Sequence, residues 1–277
     1  MAPRVFVVTG ANKGIGYGIV ETLLKVVDGS IIYLTSRNES LGKAAFANLE
    51  ASIPQRKSEL RYHQLEITDA SSIAVFAQHL KVDHDGLDVL INNAGFAFKN
   101  DATESPEVQA KVTIGINYYG TKLVSNALIP LIRDGGRIVN VCSQAGLLRA
   151  HEWFSTTYSK ELADSLKNAT SDKDIDAFVE GYIKAAEEGN RKEKGYPESA
   201  YRVSKAAEIA LTFLHARQLK SRNIKVNACC PGYVDTDMSS HKGPRTIQEG
   251  ADTPVYLATD ANAPDGELVY DRKVIEW

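Results

Sequence analysis

The chain has 277 residues, 43% of them hydrophobic and 24% charged, and it carries a formal net charge of -3. This size and composition predict one soluble domain with a large core, and the balanced charge argues against a nucleic-acid partner or a membrane surface. No apolar run reaches the roughly 18 residues of a membrane span and no secretory signal is visible, so we expect a cytoplasmic protein with a small-molecule partner.

Short apolar segments alternate with longer amphipathic segments along the chain. The short segments are residues 5–8, 31–34, 62–67, 87–91, 137–141 and 224–230. Because nearly continuous aliphatic and β-branched runs suit parallel strands that are buried on both faces, the alternation predicts βαβ units. We therefore expect an α/β fold with a doubly wound, Rossmann-like parallel sheet and helices on both faces.

The first predicted strand leads directly into the glycine-rich segment 9–16, TGANKGIG, which opens an amphipathic helix. Glycine permits a tight turn and a close approach of phosphate to backbone NH groups, and the helix N-terminus adds partial positive charge. The segment predicts a dinucleotide site, with a purely structural turn as the alternative. The predicted contacts are Gly10, Asn12, Lys13, Gly14, Ile15 and Gly16.

The end of the second predicted strand indicates which dinucleotide is bound. Enzymes that use the unphosphorylated form usually place an Asp or Glu there to hold the ribose 2′-hydroxyl. Residues 34–38 read LTSRN and contain no carboxylate. Lys13 in the turn and Arg37 after the strand are two cations for a 2′-phosphate, so we predict NADPH as the cofactor.

A Tyr-x-x-x-Lys pair occurs at Tyr201 and Lys205, and the same spacing recurs at Tyr118 and Lys122. On a helix the two side chains of each pair project from one face, so the ammonium can favour ionisation of the phenol. For Tyr201 we expect a pKa moved from about 10 towards neutrality, which suits a proton donor in carbonyl chemistry. Either pair alone is also typical of an exposed helical pair.

The segment from about residue 146 to residue 197 departs from the strand–helix rhythm. It is rich in charged residues and helix formers, as in SDKDID at 171–176. It predicts a helical insertion before Tyr201 within a single domain of residues 1–277. The stretch after Gly189 is also typical of a solvated loop.

Three cysteines occur, at positions 142, 229 and 230. They lack the spacing of a metal site or a disulfide framework, so we predict no metal and interpret them as small apolar filling at strand ends, with reactive thiols as the alternative.

Several motifs together resemble the short-chain dehydrogenase/reductase family over nearly the whole chain. They are the turn at 9–16, NNAG at 92–95, Asn117, Ser143, the Tyr201–Lys205 pair and CPG at 230–232. Within the family the chain is most similar to the NADPH-dependent carbonyl reductases. The resemblance implies reduction of ketones, aldehydes and quinones, and it associates the long insertion with a monomer.

The resemblance also implies a role for each catalytic residue. Tyr201 protonates the carbonyl oxygen, Ser143 donates a hydrogen bond to it, and Lys205 lowers the tyrosine pKa and binds the nicotinamide ribose. Asn117 holds a water that links Lys205 to solvent, or else stabilises the backbone around its helix. The pair at Tyr118 is rejected because it precedes Ser143, out of the family order.

Further contacts carry over from the family motifs. The remaining cofactor contacts are Glu66, Ile67, Asn93, Pro231, Gly232, Val234 and Thr236, together with Tyr201 and Lys205. The predicted substrate contacts, besides Ser143 and Tyr201, are Phe98, Tyr233 and Met238, for which ordinary core packing is the alternative.

Two other functions stay open. One is an NADP-dependent dehydrogenase of a specific alcohol such as a steroid or prostaglandin, against which the usual reducing role of NADPH argues mildly. The other is a non-catalytic, dinucleotide-sensing regulator, against which the intact set of Asn117, Ser143, Tyr201 and Lys205 argues strongly.

Overall fold

The structure is a computed structural model that describes residues 2–99, 101–150 and 158–277. Its centre is an eight-stranded sheet in the order β3-β2-β1-β4-β5-β6-β7-β8, parallel throughout except for the antiparallel pair β7 and β8. The strands are β1 Val5–Val8, β2 Ile31–Ser36, β3 Glu59–Gln64, β4 Leu87–Asn92, β5 Ile132–Val141, β6 Lys225–Cys230, β7 Leu268–Tyr270 and β8 Lys273–Val274.

The helices cover both faces of this sheet. They are α1 Gly14–Val26, α2 Glu39–Ser52, α3 Ala70–His84, α4 Pro106–Ile114, α5 Thr121–Leu128, α6 Lys160–Lys167, α7 Asp172–Glu187, α8 Ala200–Leu219 and α9 Ile247–Thr259. Along β1, Phe6 and Val8 belong to the core that includes α1 and α9, whereas Val5 and Val7 belong to the core that includes α3 and α5. The predicted doubly wound α/β fold is therefore confirmed.

Two details of the sheet differ from the prediction. Strand β3 covers residues 59–64 rather than 62–67, because its pairing with β2 starts at Glu59 opposite Ile31. Residues 65–69 instead form a turn that leads into α3, where the side chain of Asp69 accepts a hydrogen bond from the backbone of Ser71. Strands β7 and β8 were missed because segments of three and two residues are too short to show a periodic pattern.

Helices α6 and α7 lie in the segment that departs from the strand–helix rhythm. Helix α7 buries Phe178, Val179 and Tyr182 in one core with residues of α4 and α8. The stretch after Gly189 is not helical, but its Tyr196 is buried and donates a hydrogen bond of 2.8 Å to the carbonyl of Phe178. Residues 151–157 of the predicted insertion lie outside the described residues. Within the described ranges, no helix combines the length and apolar character of a membrane span.

The second Tyr-x-x-x-Lys pair anchors α7 to the sheet domain. The hydroxyl of Tyr118 donates a hydrogen bond of 2.9 Å to Oδ1 of Asp176, and Nζ of Lys122 lies 2.6 Å from the same oxygen. Burial and the nearby Asp176 raise the pKa of Tyr118. This pair is therefore a structural contact and not an exposed helical pair.

We expect Asp176→Ala to lower the free energy of unfolding by about 2 kcal/mol, because it leaves a buried hydroxyl and a largely buried ammonium without their shared acceptor. Urea unfolding measures this loss. The matched control is Asp164→Ala, which removes the exposed ion pair with Lys160 and should change stability by less than about 0.5 kcal/mol. Equal losses in the two variants would contradict the anchoring role.

Candidate active site

The glycine-rich turn lies at the carboxyl ends of β1 and β4, where the strand order reverses. Gly10 has a φ of 62°, and a Cβ added there would stand 2.7 Å from Cα of Ala94. Asn93 stabilises the turn, since its Nδ2 donates hydrogen bonds to the carbonyls of Thr9 and Gly10 at 3.0 and 3.1 Å. Crevices at such reversal points are the usual ligand sites of open α/β sheets.

The N-terminus of α1 suits a phosphate group. Among the described residues, no side chain caps this helix and no acidic residue occupies its first turn. By contrast, Asn38 caps α2 and Ser105 caps α4 through side-chain hydrogen bonds. The first NH groups of α1 are thus left for an anionic ligand, and a helix N-terminus favours negative charge.

The two cations predicted for the 2′-phosphate have different surroundings. Nζ of Lys13 lies 2.6 Å from Oδ2 of Asp237, a partner that the sequence did not indicate. Arg37 has a side chain that is 77% exposed, with its Nε 3.6 Å from Oε2 of Glu66. Arg37 is therefore the better placed of the two to meet a phosphate, whereas Lys13 would have to exchange Asp237 for it.

The segment after β6 reaches the glycine-rich turn. A Cβ on Gly14 would lie 3.5 Å from Cγ2 of Thr236, and Val234 is buried against Gly250 of α9. Ile67 packs elsewhere, against Gly120. The structure thus brings Thr236 to the turn and gives Ile67 and Val234 packing partners. The cofactor role of these three residues stays a prediction, as it does for Asn12, Pro231 and Gly232.

Ser143 and Tyr201 come from two elements that meet tightly. Ser143 lies two residues beyond the end of β5, and Tyr201 is in the first turn of α8. The Ser143 hydroxyl lowers the pKa of Tyr201, which places the two side chains close together. The close approach depends on Gly146, where a Cβ would stand 2.6 Å from the backbone of Lys205. Trp277 also stabilises this contact, because its Nε1 donates a hydrogen bond of 2.9 Å to the carbonyl of Gly146.

Lys205 is buried beside Tyr201, but it has a partner that sequence reasoning missed. Its Nζ lies 2.7 Å from Oε2 of Glu208, donates to the carbonyl of Val141 at 3.1 Å, and stands 5.8 Å from the centre of the Tyr201 ring. The only sequence signal for Glu208 is its position three residues after the lysine, which equally suits a surface ion pair.

The expected fall of the Tyr201 pKa towards neutrality is wrong for this structure. Burial raises the pKa of Tyr201, which outweighs the lowering by Lys205, and Glu208 raises it further. The prediction had assumed a solvated ammonium without a counter-charge, whereas the ammonium here is buried and paired with a carboxylate. The phenol is therefore protonated at neutral pH.

Asn117 lies in a π-helical turn, Gly115–Gly120, between α4 and α5. Its Oδ1 accepts a hydrogen bond of 2.7 Å from the backbone NH of Phe96, and its Nδ2 donates to the carbonyl of Phe96 and to Oγ of Ser204, both at 2.9 Å. The side-chain amide therefore ties the loop after β4 to α8, which favours the backbone-stabilising interpretation. The water-holding role stays a prediction.

The predicted substrate residues lie on two loops. Phe98 packs edge to face on Phe96, with ring centres 4.9 Å apart. Tyr233 is 48% exposed and Met238 is 47% exposed, so core packing explains neither of them. Both occupy the loop between β6 and α9 that also carries Thr236. An exposed apolar pair on this loop suits the wall of an open pocket.

The three cysteines are buried free thiols at the ends of β5 and β6. Burial raises the pKa of Cys142 and of Cys230, so both are neutral thiols at neutral pH. Their interpretation as apolar filling is consistent with these positions.

Comparison with known proteins agrees with this geometry. The family described as short chain dehydrogenase matches residues 4–173 and 189–246, with a gap that falls mostly within α7. Carbonyl reductase [NADPH] 3 of Mus musculus is 39% identical over 281 residues, which cover 99% of this chain and 98% of that protein. Carbonyl reductase [NADPH] 1 of Homo sapiens is 38% identical over 282 residues, with the same coverage.

Solved structures show the same relationship. Salutaridine reductase from Papaver somniferum has a TM-score of 0.84 and 31% identity, covering 97% of this chain and 99% of its own. Menthone neomenthol reductase from Mentha piperita has a TM-score of 0.79 and 29% identity, covering 98% of this chain and 99% of its own. The chain therefore belongs to the short-chain dehydrogenase/reductase family.

Proposed function

We propose that the protein is an NADPH-dependent carbonyl reductase that transfers hydride to small ketones, aldehydes and quinones. The observation that carries this proposal is the placement of Ser143 beside Tyr201, with the buried Lys205 next to them, in the same family fold that places an uncapped helix N-terminus after β1. Similar proteins named NADPH carbonyl reductases, at 38 to 39% identity over the whole chain, support it.

Ser143 and Tyr201 have distinct proposed roles in the reduction of the carbonyl group. The hydroxyls of Ser143 and Tyr201 would hold the carbonyl oxygen, and Tyr201 would supply a proton as negative charge develops there. A raised phenol pKa keeps that proton in place at neutral pH. Oxidation of an alcohol requires the phenolate instead, so the raised pKa favours the reductive direction over a dedicated alcohol dehydrogenase.

The chain also has suitable groups for each part of NADPH, which supplies the hydride when bound. The first turn of α1 would hold the pyrophosphate, Arg37 the 2′-phosphate, and Lys205 the nicotinamide ribose. We further propose that the protein is a monomer, since helix α7 covers α4 and α8 with buried side chains. We also propose that it is cytoplasmic.

The proposed activity is tested by following NADPH absorbance with the purified protein and a panel of quinones, aromatic ketones and aliphatic aldehydes. We expect substrate-dependent oxidation of NADPH with at least one class and much slower oxidation of NADH. No turnover across the panel contradicts the proposal.

Replacing Arg37 with alanine should weaken NADPH binding about tenfold to a hundredfold, because a charge-assisted contact with the 2′-phosphate is lost. Binding of NADH, which lacks this phosphate, should stay within about twofold. Fluorescence titration of both dinucleotides measures the difference, with Lys160→Ala in the exposed helix α6 as the control for loss of one surface cation. Equal weakening of both dinucleotides contradicts the assignment of Arg37.

A further inference from the structure

Glu208 lies beside the proposed catalytic residues with a side chain that is only 1% exposed. Its Oε2 is 2.7 Å from Nζ of Lys205, one helical turn earlier on α8. Its Oε1 accepts a hydrogen bond of 3.3 Å from Oγ1 of Thr121, the first residue of α5. A buried carboxylate is costly unless it is paired, so Glu208 and Lys205 form one buried unit.

This unit fixes the direction of the ammonium group. Nζ of Lys205 lies in an ion pair 2.7 Å from Oε2 of Glu208 and donates a hydrogen bond of 3.1 Å to the carbonyl of Val141. The Tyr201 ring lies on another side, with its centre 5.8 Å from Nζ. The loop after β4 also lies near the ammonium, since a Cβ added to Gly95 would stand 3.7 Å from Nζ. The ammonium is therefore confined on several sides.

The unit also sets the local charge. The titratable groups that face it come from α8 and from the ends of β5 and β6, with one cation from the loop before α9. They are Tyr201, Lys205, Glu208, Cys142, Cys229, Cys230 and Arg245. Burial raises the pKa of each thiol, which keeps them neutral, so Glu208 is the acidic partner of Lys205 among these groups. Burial raises the pKa of Glu208 as well, and its ion pair with Lys205 acts in the opposite direction.

Resting on the proposed reductase function, we propose that Glu208 is a positioning residue that directs the Lys205 ammonium and offsets its charge, so that Tyr201 keeps its proton to higher pH during reduction. A negative charge beside two coupled proton-binding groups makes both hold their protons more strongly. Its removal makes the Tyr201–Lys205 pair lose a proton at lower pH.

The test is the pH profile of kcat/KM for carbonyl reduction in Glu208→Gln, which keeps the size of the side chain and a hydrogen-bond acceptor but removes the charge. Reduction requires the protonated phenol, so activity falls as pH rises through the apparent pKa of the pair. We expect this fall to occur at least about one pH unit lower than in the unmodified protein. Glu208→Asp, which keeps the charge, should restore the unmodified position even where kcat is lower.

Two controls separate this role from a merely structural one. Glu188→Gln removes an exposed carboxylate from the end of α7 and should leave the profile in place. If Glu208→Gln does not fold, Glu208→Ala removes the same charge and should give the same shift. A profile that keeps its position in the charge-removing variant, whatever happens to kcat, overturns the proposal.

A substrate-free readout keeps this proposal distinct from the reductase activity. Ultraviolet difference titration of each protein against its Tyr201→Phe counterpart reports ionisation of Tyr201 without turnover. Ionisation at lower pH in Glu208→Gln supports the charge-setting role even where no carbonyl substrate is reduced, a result that would count against the proposed function alone. Unchanged ionisation overturns the role of Glu208.

Discussion

Tyr201→Phe is expected to lower kcat for carbonyl reduction by about 10²–10⁴, because it removes the proposed proton donor and leaves the aromatic ring in place. The phenol of Tyr201 lies beside Ser143, and burial raises its pKa, so it keeps its proton at neutral pH, which suits proton donation to a developing alkoxide. Steady-state NADPH oxidation measures the loss. Fluorescence titration should show NADPH affinity within about threefold of the unmodified protein, since the proposed ribose contact of Lys205 is left intact.

Tyr118→Phe is the matched control, because Tyr118 has the same spacing to a lysine as Tyr201. Its hydroxyl binds Asp176 in α7 and does not face the site. We expect kcat to stay within about twofold and the free energy of unfolding to fall by about 1 kcal/mol. A similar loss of kcat in both variants, or an active Tyr201→Phe enzyme, contradicts the assignment of the proton donor.

Gly10→Ala is expected to weaken cofactor binding and lower stability together. A Cβ at this position would meet the backbone of Ala94 at 2.7 Å, and the residue has a φ of 62° that favours glycine. The turn must therefore move away from β4, which displaces the NH groups that we propose to bind the pyrophosphate. We expect at least about a tenfold rise in the Kd of NADPH and a loss of about 3 kcal/mol in stability.

The control is Gly29→Ala, which separates backbone strain from the steric clash. Gly29 has a φ of 60°, nearly that of Gly10, but no atom lies within 4 Å of its added Cβ. It should therefore lose only about 1 kcal/mol of stability and keep its affinity for NADPH. Equal effects of the two substitutions, measured by urea unfolding and fluorescence titration, would exclude the close approach to Ala94 as the cause.

The positions of most strands along the chain can be predicted from the local pattern of apolar residues. Strand β1 is four buried apolar residues followed at once by the glycine-rich turn, so both its position and its topological role follow from the sequence. Strand β3 was misplaced because it lies at the edge of the sheet, where its partly exposed residues do not form a continuous apolar run. Strand pairing, rather than hydrophobicity, sets its limits.

The candidate site was predictable as a set of residues but not as an electrostatic environment. The order of Ser143, Tyr201 and Lys205 along the chain identifies them through the family motifs. Spacing cannot reveal whether a charge is buried, so the pKa of Tyr201 was predicted in the wrong direction and Glu208 was missed.

The same limit applies to the contact between Lys13 and Asp237. The two residues are far apart in sequence and meet only because the loop after β6 folds back onto the turn. Pairings of this kind depend on the packed structure, and a single sequence gives no local pattern for them.

The central claim is that hydride passes from NADPH to a carbonyl carbon at the site of Tyr201. It is tested most directly with NADPH that carries deuterium at one or the other C4 position, an aromatic ketone that the enzyme reduces, and mass spectrometry of the alcohol. We expect deuterium on the carbinol carbon with one of the two labelled cofactors and none with the other. Alcohol that is unlabelled with both cofactors would contradict it.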